Sequence, residues 1–509
     1  FVIFCLLFQS HFVNLNINEN IRRLVILTKL FKQTFIYGLA TVLPRALAIF
    51  LVPLYVLVLG KEQYGIYASY MAFLILGNVL LSYGMETAFF RFINKDDFQK
   101  EKVQSTALFS LTVTTLVFLT ITLFLKNEIA IFLNFKVEYI TYGLFILGLD
   151  ALMVIPFVWL RANEKPTRYA IIKIFNVCIN LGFNLFFFLV LPLWAKNDAN
   201  YFWSSINLDE GKVAYVFISN LIASGITFLI LMPLYFKMKL LFDLVIWKKM
   251  MKYALPILIA GIAFSINEAF DKILLRYLLP SDIADAELGM YAACYKLGVF
   301  MTLFATAFRL GIEPFFFNHS NSENAKETYA TITKYYIILG SFILLFVVVY
   351  LDFFKLVLIP DSSFWEALVI VPIILLANLC LGIYHNLSVW YKVTDRTKYG
   401  AYISVFGAII TLTLNFLLIP IISYKGSATA TLAAYGSMML VSYFLGRKHY
   451  KVPYDLKKIG FYLLLSIVFS VFSFYVFQGS IWKGTVLLTV FLGIIFVSEK
   501  KEIKQLIKR

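Results

Sequence analysis

The sequence predicts an all-α polytopic membrane protein of about 14 transmembrane helices, arranged as two six-helix lobes followed by two C-terminal helices. The first reason is composition: 61% of the 509 residues are hydrophobic, 15% are charged, and the mean hydropathy is +0.82. A soluble fold of this size has too few polar residues to cover so much apolar surface. The second reason is a series of apolar segments of spanning length, and the third is an internal repeat.

The apolar segments define the predicted helices. A helix needs about 20 residues to cross the hydrocarbon core, and the loops between these segments are too short to hold a soluble domain. The segments fall at roughly 33–59, 64–92, 103–125, 137–160, 168–192, 213–236, 250–279, 287–317, 328–350, 364–391, 396–420, 425–446, 458–477 and 482–498.

The same segmentation predicts the organisation of the chain. Residues 1–28 hold an apolar run too short to span and then a polar stretch. We expect them to be a non-native or disordered extension, with the native protein beginning near Lys29. The other parts are an N-terminal lobe (29–236), a cytoplasmic linker (237–249), a C-terminal lobe (250–446), and two final helices with a basic tail (447–509).

The distribution of Lys and Arg residues predicts the orientation in the membrane. If the N-terminus lies inside, the inner segments hold about 31 of the 45 Lys and Arg residues, the outer loops about 8 and the helices about 6. Loops rich in Lys and Arg remain on the cytoplasmic side. Both termini are therefore expected in the cytoplasm.

Composition also excludes several classes of function. The net charge of +16 is spread over short loops, so nucleic-acid binding is not expected. The four cysteines lie in apolar runs without a CxxC motif, and there is no phosphate-binding loop, so neither a metal site nor an ATPase is expected. The chain is not expected to be an enzyme or to hold a cofactor, although its activity could be coupled to protons or sodium ions.

An internal repeat predicts how the lobes are related. A segment opening with YGIYASY at 64–70 and one opening with LGMYAACY at 288–295 each carry a glutamate near the end, Glu86 and Glu313. A second repeat matches Trp159, Tyr169 and Asn184 with Trp390, Tyr399 and Asn415. Both repeats run in the same direction, six segments apart. This arrangement predicts a pseudo-two-fold axis along the membrane normal, with a cavity between the lobes.

The chain resembles a known family of transporters. It is similar to bacterial lipopolysaccharide and capsule flippases, the polysaccharide branch of the multidrug/oligosaccharidyl-lipid/polysaccharide (MOP) exporters. The resemblance is carried near the start by FKQTFIYGLATVLPRALAIFLVPLY, EQYGIYASY and YGMETAFFRF. A later stretch, DRTKYGAYISVFGAIITLTLNFLLIPIISYKGSATATLAAY, is similar to the eleventh and twelfth segments of that family. The resemblance covers 29–446.

The resemblance implies a function. Proteins of this branch move an undecaprenyl-diphosphate-linked oligosaccharide from the inner to the outer leaflet by alternating access of two lobes, for O-antigen or capsule synthesis. The resemblance also implies a place in the bacterial inner membrane. Membrane lipids and the polysaccharide polymerase of the same pathway would then be partners. A multidrug exporter or a lipid II flippase of the same superfamily is the alternative. A polymerase would be expected to carry a large outer loop, which this chain lacks.

Arg45 is a candidate for binding a diphosphate. It follows Pro44 near the middle of the first segment, and an arginine can hold phosphate through two parallel hydrogen bonds. Ionisable residues inside a membrane usually mark a substrate or ion path. The alternative is a structural salt bridge to Asp150 in the fourth segment.

The seventh segment, 250–279, carries charge inside an apolar run. Glu268, Lys272 and Arg276 are spaced four residues apart, so they share one face of a helix, with Asp271 beside them. We expect this face to form the outer wall of the cavity. Arg276 has an alternative, since it lies near enough to the outer end to reach the headgroups.

Further polar residues extend the predicted cavity. Lys296 and Arg309 in the eighth segment would add basic charge, with a local pair to Glu313 as the alternative for Arg309. Asn176, Asn180 and Asn184 form a strip on the fifth segment that could bind sugar hydroxyls or hydrogen-bond to other helices. The candidates for ion coupling are the carboxylates Glu86, Asp150, Glu268 and Asp271.

Overall fold

The computed structural model describes residues 36, 38–94, 98–196, 211–236, 241–318, 322–477 and 480–507. The predicted extension 1–28 lies outside these residues. The described residues form helices and connections without a β-strand, which confirms the predicted fold class.

Twelve continuous helical runs in the described part of the chain are long and apolar enough to cross a membrane. Two of them contain a sharp break in the backbone that separates two spanning helices, at Gly60 and at Ile422–Ser423. The run 61–93 also contains two left-handed residues, Tyr83 and Gly84, before the short helix Met85–Ile93. Gly60 has φ +68°, which glycine adopts at no steric cost. The resulting 14 helices are α1 (38–59), α2 (61–93), α3 (Lys100–Phe124), α4 (Val137–Ala162), α5 (Pro166–Lys196), α6 (Val213–Phe236), α7 (Leu244–Leu278), α8 (284–318), α9 (Ala325–Val349), α10 (Ser362–Val393), α11 (398–421), α12 (424–449), α13 (Leu456–Val476) and α14 (Ile481–Ile507).

Two ion pairs show the pseudo-two-fold relation between the lobes. Glu86 at the end of α2 accepts a hydrogen bond from Arg161 at the end of α4, at 2.9 Å. Glu313 in α8 accepts one from Lys392 in α10, at 2.5 Å. Each cation lies two residues after a tryptophan of the repeat. The glutamates matched in the sequence therefore make equivalent contacts, six helices apart. Below, the membrane face at which α2 ends is called the inner face, following the predicted orientation.

Short helices occupy equivalent positions on the outer face. One, Lys126–Phe132, connects α3 to α4, and the other, Leu351–Leu358, connects α9 to α10. Each exposes large apolar side chains, such as Phe132 and Phe353. Such helices are suited to lie at the boundary of the bilayer, with their apolar side chains in the lipid.

The outer halves of α2 and α8 lie in direct backbone contact. A Cβ atom at Gly65 would overlap the carbonyl oxygen of Asp285, and one at Gly289 would overlap that of Lys61. The two glycines belong to the repeated motifs, so the contact is reciprocal about the pseudo-two-fold axis. Absence of side chains lets the two backbones approach this closely. The lobes are therefore closed against each other on the outer side.

Helix α7 begins at Leu244, earlier than the predicted residue 250, because Asp243 caps its N-terminus by accepting from the backbone N–H groups of Val245 and Ile246. Part of the predicted linker is therefore helical. Before Pro256, α7 contacts the N-terminal lobe, where the indole of Trp247 donates to Ser110 in α3 at 2.8 Å.

Beyond Pro256, α7 packs against the C-terminal lobe. Asn267 accepts from Thr411 of α11 at 2.7 Å and donates to the carbonyl of Ser404, while Tyr435 of α12 donates to the carbonyl of Asn267. One helix is thus shared between the lobes. Its outer half carries the charged residues singled out in the sequence.

The C-terminal pair, α13 and α14, is attached to α9. Glu499 of α14 is fully buried and accepts hydrogen bonds from Lys334 of α9 at 2.9 Å and from Tyr462 of α13 at 2.7 Å. Lys458 lies 3.0 Å from the same carboxylate. Charge inside an apolar assembly is stable only when paired in this way. The cluster therefore fixes α13 and α14 to the C-terminal lobe.

Candidate functional site between the two lobes

The charged cluster of α7 lies against α8. Asp271 is 2% exposed, and both of its carboxylate oxygens lie 3.0 Å from the ammonium of Lys272. Tyr291 of α8 donates to the same carboxylate at 2.7 Å, and the ring of Tyr295 lies 4.2 Å from the Lys272 ammonium. Asp271 and Lys272 therefore neutralise each other within a layer of tyrosines.

Lys296 directly follows Tyr295 on α8. Its side chain is accessible although the residue lies deep among the surrounding helices, close enough to interact electrostatically with Lys272 and Glu268. Glu268 is also accessible. The helix becomes 3₁₀ over Lys296–Gly298, an irregularity that often marks a functional position. An accessible cation and carboxylate at this depth indicate a polar space between helices.

Arg45 faces the same helix nearer the inner side. It is accessible, and its Nη1 donates to Thr306 Oγ1 of α8 at 3.3 Å. This bond is long for its type and uses only one nitrogen of the guanidinium, Nη1. Most of the N–H donors of Arg45 therefore stay available to a ligand. The five residues Arg45, Glu268, Asp271, Lys272 and Lys296 are called the interlobe site below. They bring together one group from α1 and four from α7 and α8.

Arg276 lies outside the interlobe site, at the outer end of α7. Its side chain is 7% exposed; Nε donates to Asp285 at 2.8 Å and Nη2 to the carbonyl of Asn134 in the N-terminal lobe at 3.0 Å. Its guanidinium also stacks 4.0 Å from the centre of the Phe135 ring. The neighbouring Tyr277 donates to the carbonyl of Leu133 at 2.9 Å. The bonds to Leu133 and Asn134 connect the lobes where α2 and α8 are already in contact.

We expect Arg276→Gln to favour opening of the outer side. The change removes the charge-assisted bond from Arg276 to Asn134 in the other lobe, and such a bond is worth about 1.5 kcal/mol, or about tenfold in an equilibrium. Cys294 on the outer half of α8 is fully buried and reports this opening. With the other three cysteines replaced by serine, labelling by a membrane-impermeant maleimide should be about tenfold faster in the variant.

The control for this experiment is Lys355→Gln, which changes an outer-face lysine paired with Asp352 in its own short helix. Its labelling rate should equal that of the parent protein. A rate for Arg276→Gln that also equals the parent rate would show that Arg276 does not hold the outer side closed.

Glu86 and Arg309, also predicted as site residues, each contact residues of their own lobe. Glu86 forms its ion pair with Arg161 at the inner end of the N-terminal lobe, with both side chains about half exposed. Arg309 lines a small pocket between α8 and α10 together with Glu313 and His385. Among the described residues, Glu313 pairs with Lys392 rather than with Arg309.

Asp150 lies inside the N-terminal lobe. Its carboxylate accepts from Ser224 of α6 at 3.0 Å and from Asn78 of α2 at 3.5 Å, and it lies within electrostatic range of Lys173 of α5. Within the described residues, Asp150 and Arg45 do not form the alternative salt bridge considered from the sequence. Lys173 was not singled out in the sequence. The sequence did contain a signal for Lys173, since it is a lysine two turns inside an apolar helix.

The asparagine strip of α5 makes contacts between helices. Asn176 donates to Thr227 of α6 at 2.9 Å. Asn184 is fully buried, accepts from Tyr55 of α1 at 2.9 Å and donates to Asn180 at 3.0 Å. These bonds match the interhelical alternative, and they hold α5 to its neighbours.

A family comparison fits this architecture. The sequence model of a family described as "Polysaccharide biosynthesis protein" matches residues 30–308, more than half of the chain. The chain belongs to this family. The match agrees with the resemblance to the MOP exporters predicted from the sequence motifs. No curated protein matches the chain.

Solved structures with the same fold include transporters of the same superfamily. The lipid II flippase MurJ in an inward closed conformation aligns with 17% identity and a TM-score of 0.62, over 91% of this chain and 99% of that one. An inward-facing multidrug resistance MATE transporter of the MOP superfamily aligns with 12% identity and a TM-score of 0.61, over 82% and 94%. At these identities the likeness concerns the fold. The protein is thus a multi-pass membrane protein with the MOP fold.

Proposed function

We propose that this polysaccharide biosynthesis family member is a flippase for an undecaprenyl-diphosphate-linked oligosaccharide. It would move the substrate from the inner to the outer leaflet of the bacterial cytoplasmic membrane, for O-antigen or capsule synthesis. The observation that carries the proposal is the interlobe site, where the accessible cations Arg45 and Lys296 lie on helices that face the opposite lobe. A lipid diphosphate has the charge and the oxygen geometry that an accessible arginine can bind through two hydrogen bonds.

The transport cycle we propose is alternating access. The lobes (29–236 and 250–446) are closed on the outer side, where Gly65 and Gly289 lie in backbone contact and Arg276 connects α7 to the N-terminal lobe. Opening this side requires both contacts to separate. Substrate bound from the inner leaflet would then be released on the outer side.

Coupling to an ion gradient is part of the proposal. Glu268 is an accessible carboxylate in the interlobe site, and Asp271 and Asp150 are carboxylates with hydrogen-bond partners on neighbouring helices. Each could exchange a proton or bind sodium as the lobes move. The polysaccharide polymerase of the same pathway is the proposed protein partner, since it uses the product on the outer side.

Two other transport functions are less well supported. A multidrug exporter for cationic compounds would be opposed by the accessible Arg45 and Lys296. Lipid II also carries a lipid diphosphate, so the interlobe site fits its headgroup, and a lipid II flippase is the second candidate.

Complementation distinguishes these functions. The chain should restore surface polysaccharide in a strain lacking its own polysaccharide flippase, measured by staining of extracted polysaccharide, and should not rescue growth when the lipid II flippase is depleted. Rescue of growth without restored polysaccharide would favour the second candidate. Failure of both, with the protein present in the membrane, would contradict the proposal.

A further inference from the structure

Lys296 is an accessible cation for which the described residues provide no hydrogen bond or ion pair. Lys272, the nearest cation, is paired with Asp271, whereas Lys296 interacts only at longer range with Lys272 and Glu268. An unpaired ammonium in a membrane-spanning helix is costly, and such residues usually mark a substrate path. Lys296 therefore has no close anionic partner among the described residues, and its nearest favourable charge is the more distant Glu268.

Arg45 and Lys296 are too far apart to share one diphosphate. Arg45 bonds to Thr306, which lies ten residues beyond Lys296 on the same helix. A helix rises 1.5 Å per residue, so the two contacts are separated by about 15 Å along α8. The 3₁₀ turn at Lys296–Gly298 lengthens this separation slightly. Side chains on a helix lean toward its N-terminus, which is the outer end of α8, so the Lys296 side chain leans away from Arg45 and does not shorten this separation. A diphosphate group is shorter than the distance that remains.

We propose that the interlobe site binds two anionic groups of one substrate, the lipid diphosphate at Arg45 and an acidic group of the oligosaccharide at Lys296. This inference rests on the proposed function and specifies its substrate class as an oligosaccharide that carries a carboxylate or phosphate substituent. Both cations are accessible in the same state of the protein, so one extended substrate can contact both. The diphosphate would enter from the inner side with its sugars directed toward the outer half of α8.

The neighbouring carboxylates fit this assignment. Asp271 already neutralises Lys272, so Lys296 is left as the cation available to the sugar. Glu268 interacts with Lys296 at longer range and balances its charge when no substrate is bound. The acidic group of the sugar would take over this role on binding.

The test compares two synthetic substrates in liposomes containing the full-length protein. Both are undecaprenyl-diphosphate trisaccharides; in one the terminal sugar is a uronic acid, and in the other it is the corresponding neutral hexose. The flipping rate is measured from the appearance of the trisaccharide to an impermeant glycosidase. We expect Lys296→Gln to slow flipping of the acidic substrate about tenfold, the effect of losing one charge-assisted bond, while the neutral substrate changes less than about twofold. Lys296→Arg, which keeps the charge, should retain the preference for the acidic substrate.

The other outcomes separate the two proposals. Equal slowing of both substrates would show that Lys296 contacts the diphosphate at a later step, and no slowing of either would show that it is not in the path. Each result overturns the second anion site and leaves the flippase function intact. If the wild-type protein flips neither substrate, both proposals fail. Lys355→Gln, on the outer face, is the control and should flip both substrates at the wild-type rates.

Discussion

Arg45→Gln is expected to lower the rate of substrate flipping about 10- to 100-fold. The change keeps the approximate length of the side chain but removes the charge and the paired N–H donors that a diphosphate requires. Hydrogen bonds to charged groups contribute about 1.5–3 kcal/mol each, and 1.4 kcal/mol corresponds to a factor of ten. The variant also loses the hydrogen bond from Arg45 to Thr306. Because this bond is long, its loss should change the stability of the protein only slightly.

Two variants test whether the charge itself is needed. Arg45→Lys keeps the charge but loses the fork of donors, so it should flip substrate faster than Arg45→Gln and slower than the wild type. Arg168→Gln removes an exposed arginine at the inner start of α5 and should have no effect. Wild-type rates for both Arg45 variants, in protein that reaches the membrane normally, would exclude Arg45 from the substrate path.

Glu499→Ala is expected to destabilise the attachment of α13 and α14 by about 3 kcal/mol, the lower end of the range for breaking a buried ion pair. We take the lower end because the cluster lies near the inner ends of these helices. The change leaves Lys334 and Lys458 beside each other without their shared carboxylate. The measurement is the thermal aggregation midpoint of the detergent-purified protein, together with proteolysis of the connection before α13.

The matched control removes both charges of the innermost pair. Lys334→Met combined with Glu499→Leu replaces the pair by apolar groups and should recover most of the lost stability, because the two buried charges are gone and Lys458, whose side chain is 33% exposed, can reach water. Asp352→Asn breaks a partly exposed ion pair with Lys355 and should change stability by less than about 1 kcal/mol. A midpoint for Glu499→Ala equal to that of the wild type would show that the cluster does not hold the C-terminal helices.

The helices and their repeat were predictable because hydropathy and spacing are local properties of the sequence. Each apolar run had to cross the bilayer as a helix, since only helices satisfy all backbone groups there without a closed barrel. The repeat also predicted that Glu86 and Glu313 are equivalent, which their ion pairs confirm. The sequence could not show that these pairs form with Arg161 and Lys392, because partners on other helices depend on how the helices pack.

The roles of individual charges were harder to predict for the same reason. Glu268, Lys272 and Arg276 share one helical face by spacing, yet Arg276 alone bonds across to the N-terminal lobe. Its position at the helix end, beside the connection at 133–134, decides this contact. The distance between Arg45 and Lys296 likewise depends on which part of α8 contacts α1, and the contact between Arg45 and Thr306 supplies it.

The most direct test of the proposed function is flipping by the purified protein in liposomes that contain a labelled undecaprenyl-diphosphate oligosaccharide in both leaflets. We predict that the wild-type protein equalises access of the labelled sugar to an impermeant glycosidase, and that the double variant Arg45→Gln/Lys296→Gln does so at less than about a tenth of that rate. The labelled sugar could instead become accessible no faster with the wild-type protein than in protein-free liposomes, under an imposed proton or sodium gradient of either direction. That result would contradict the proposed flippase function.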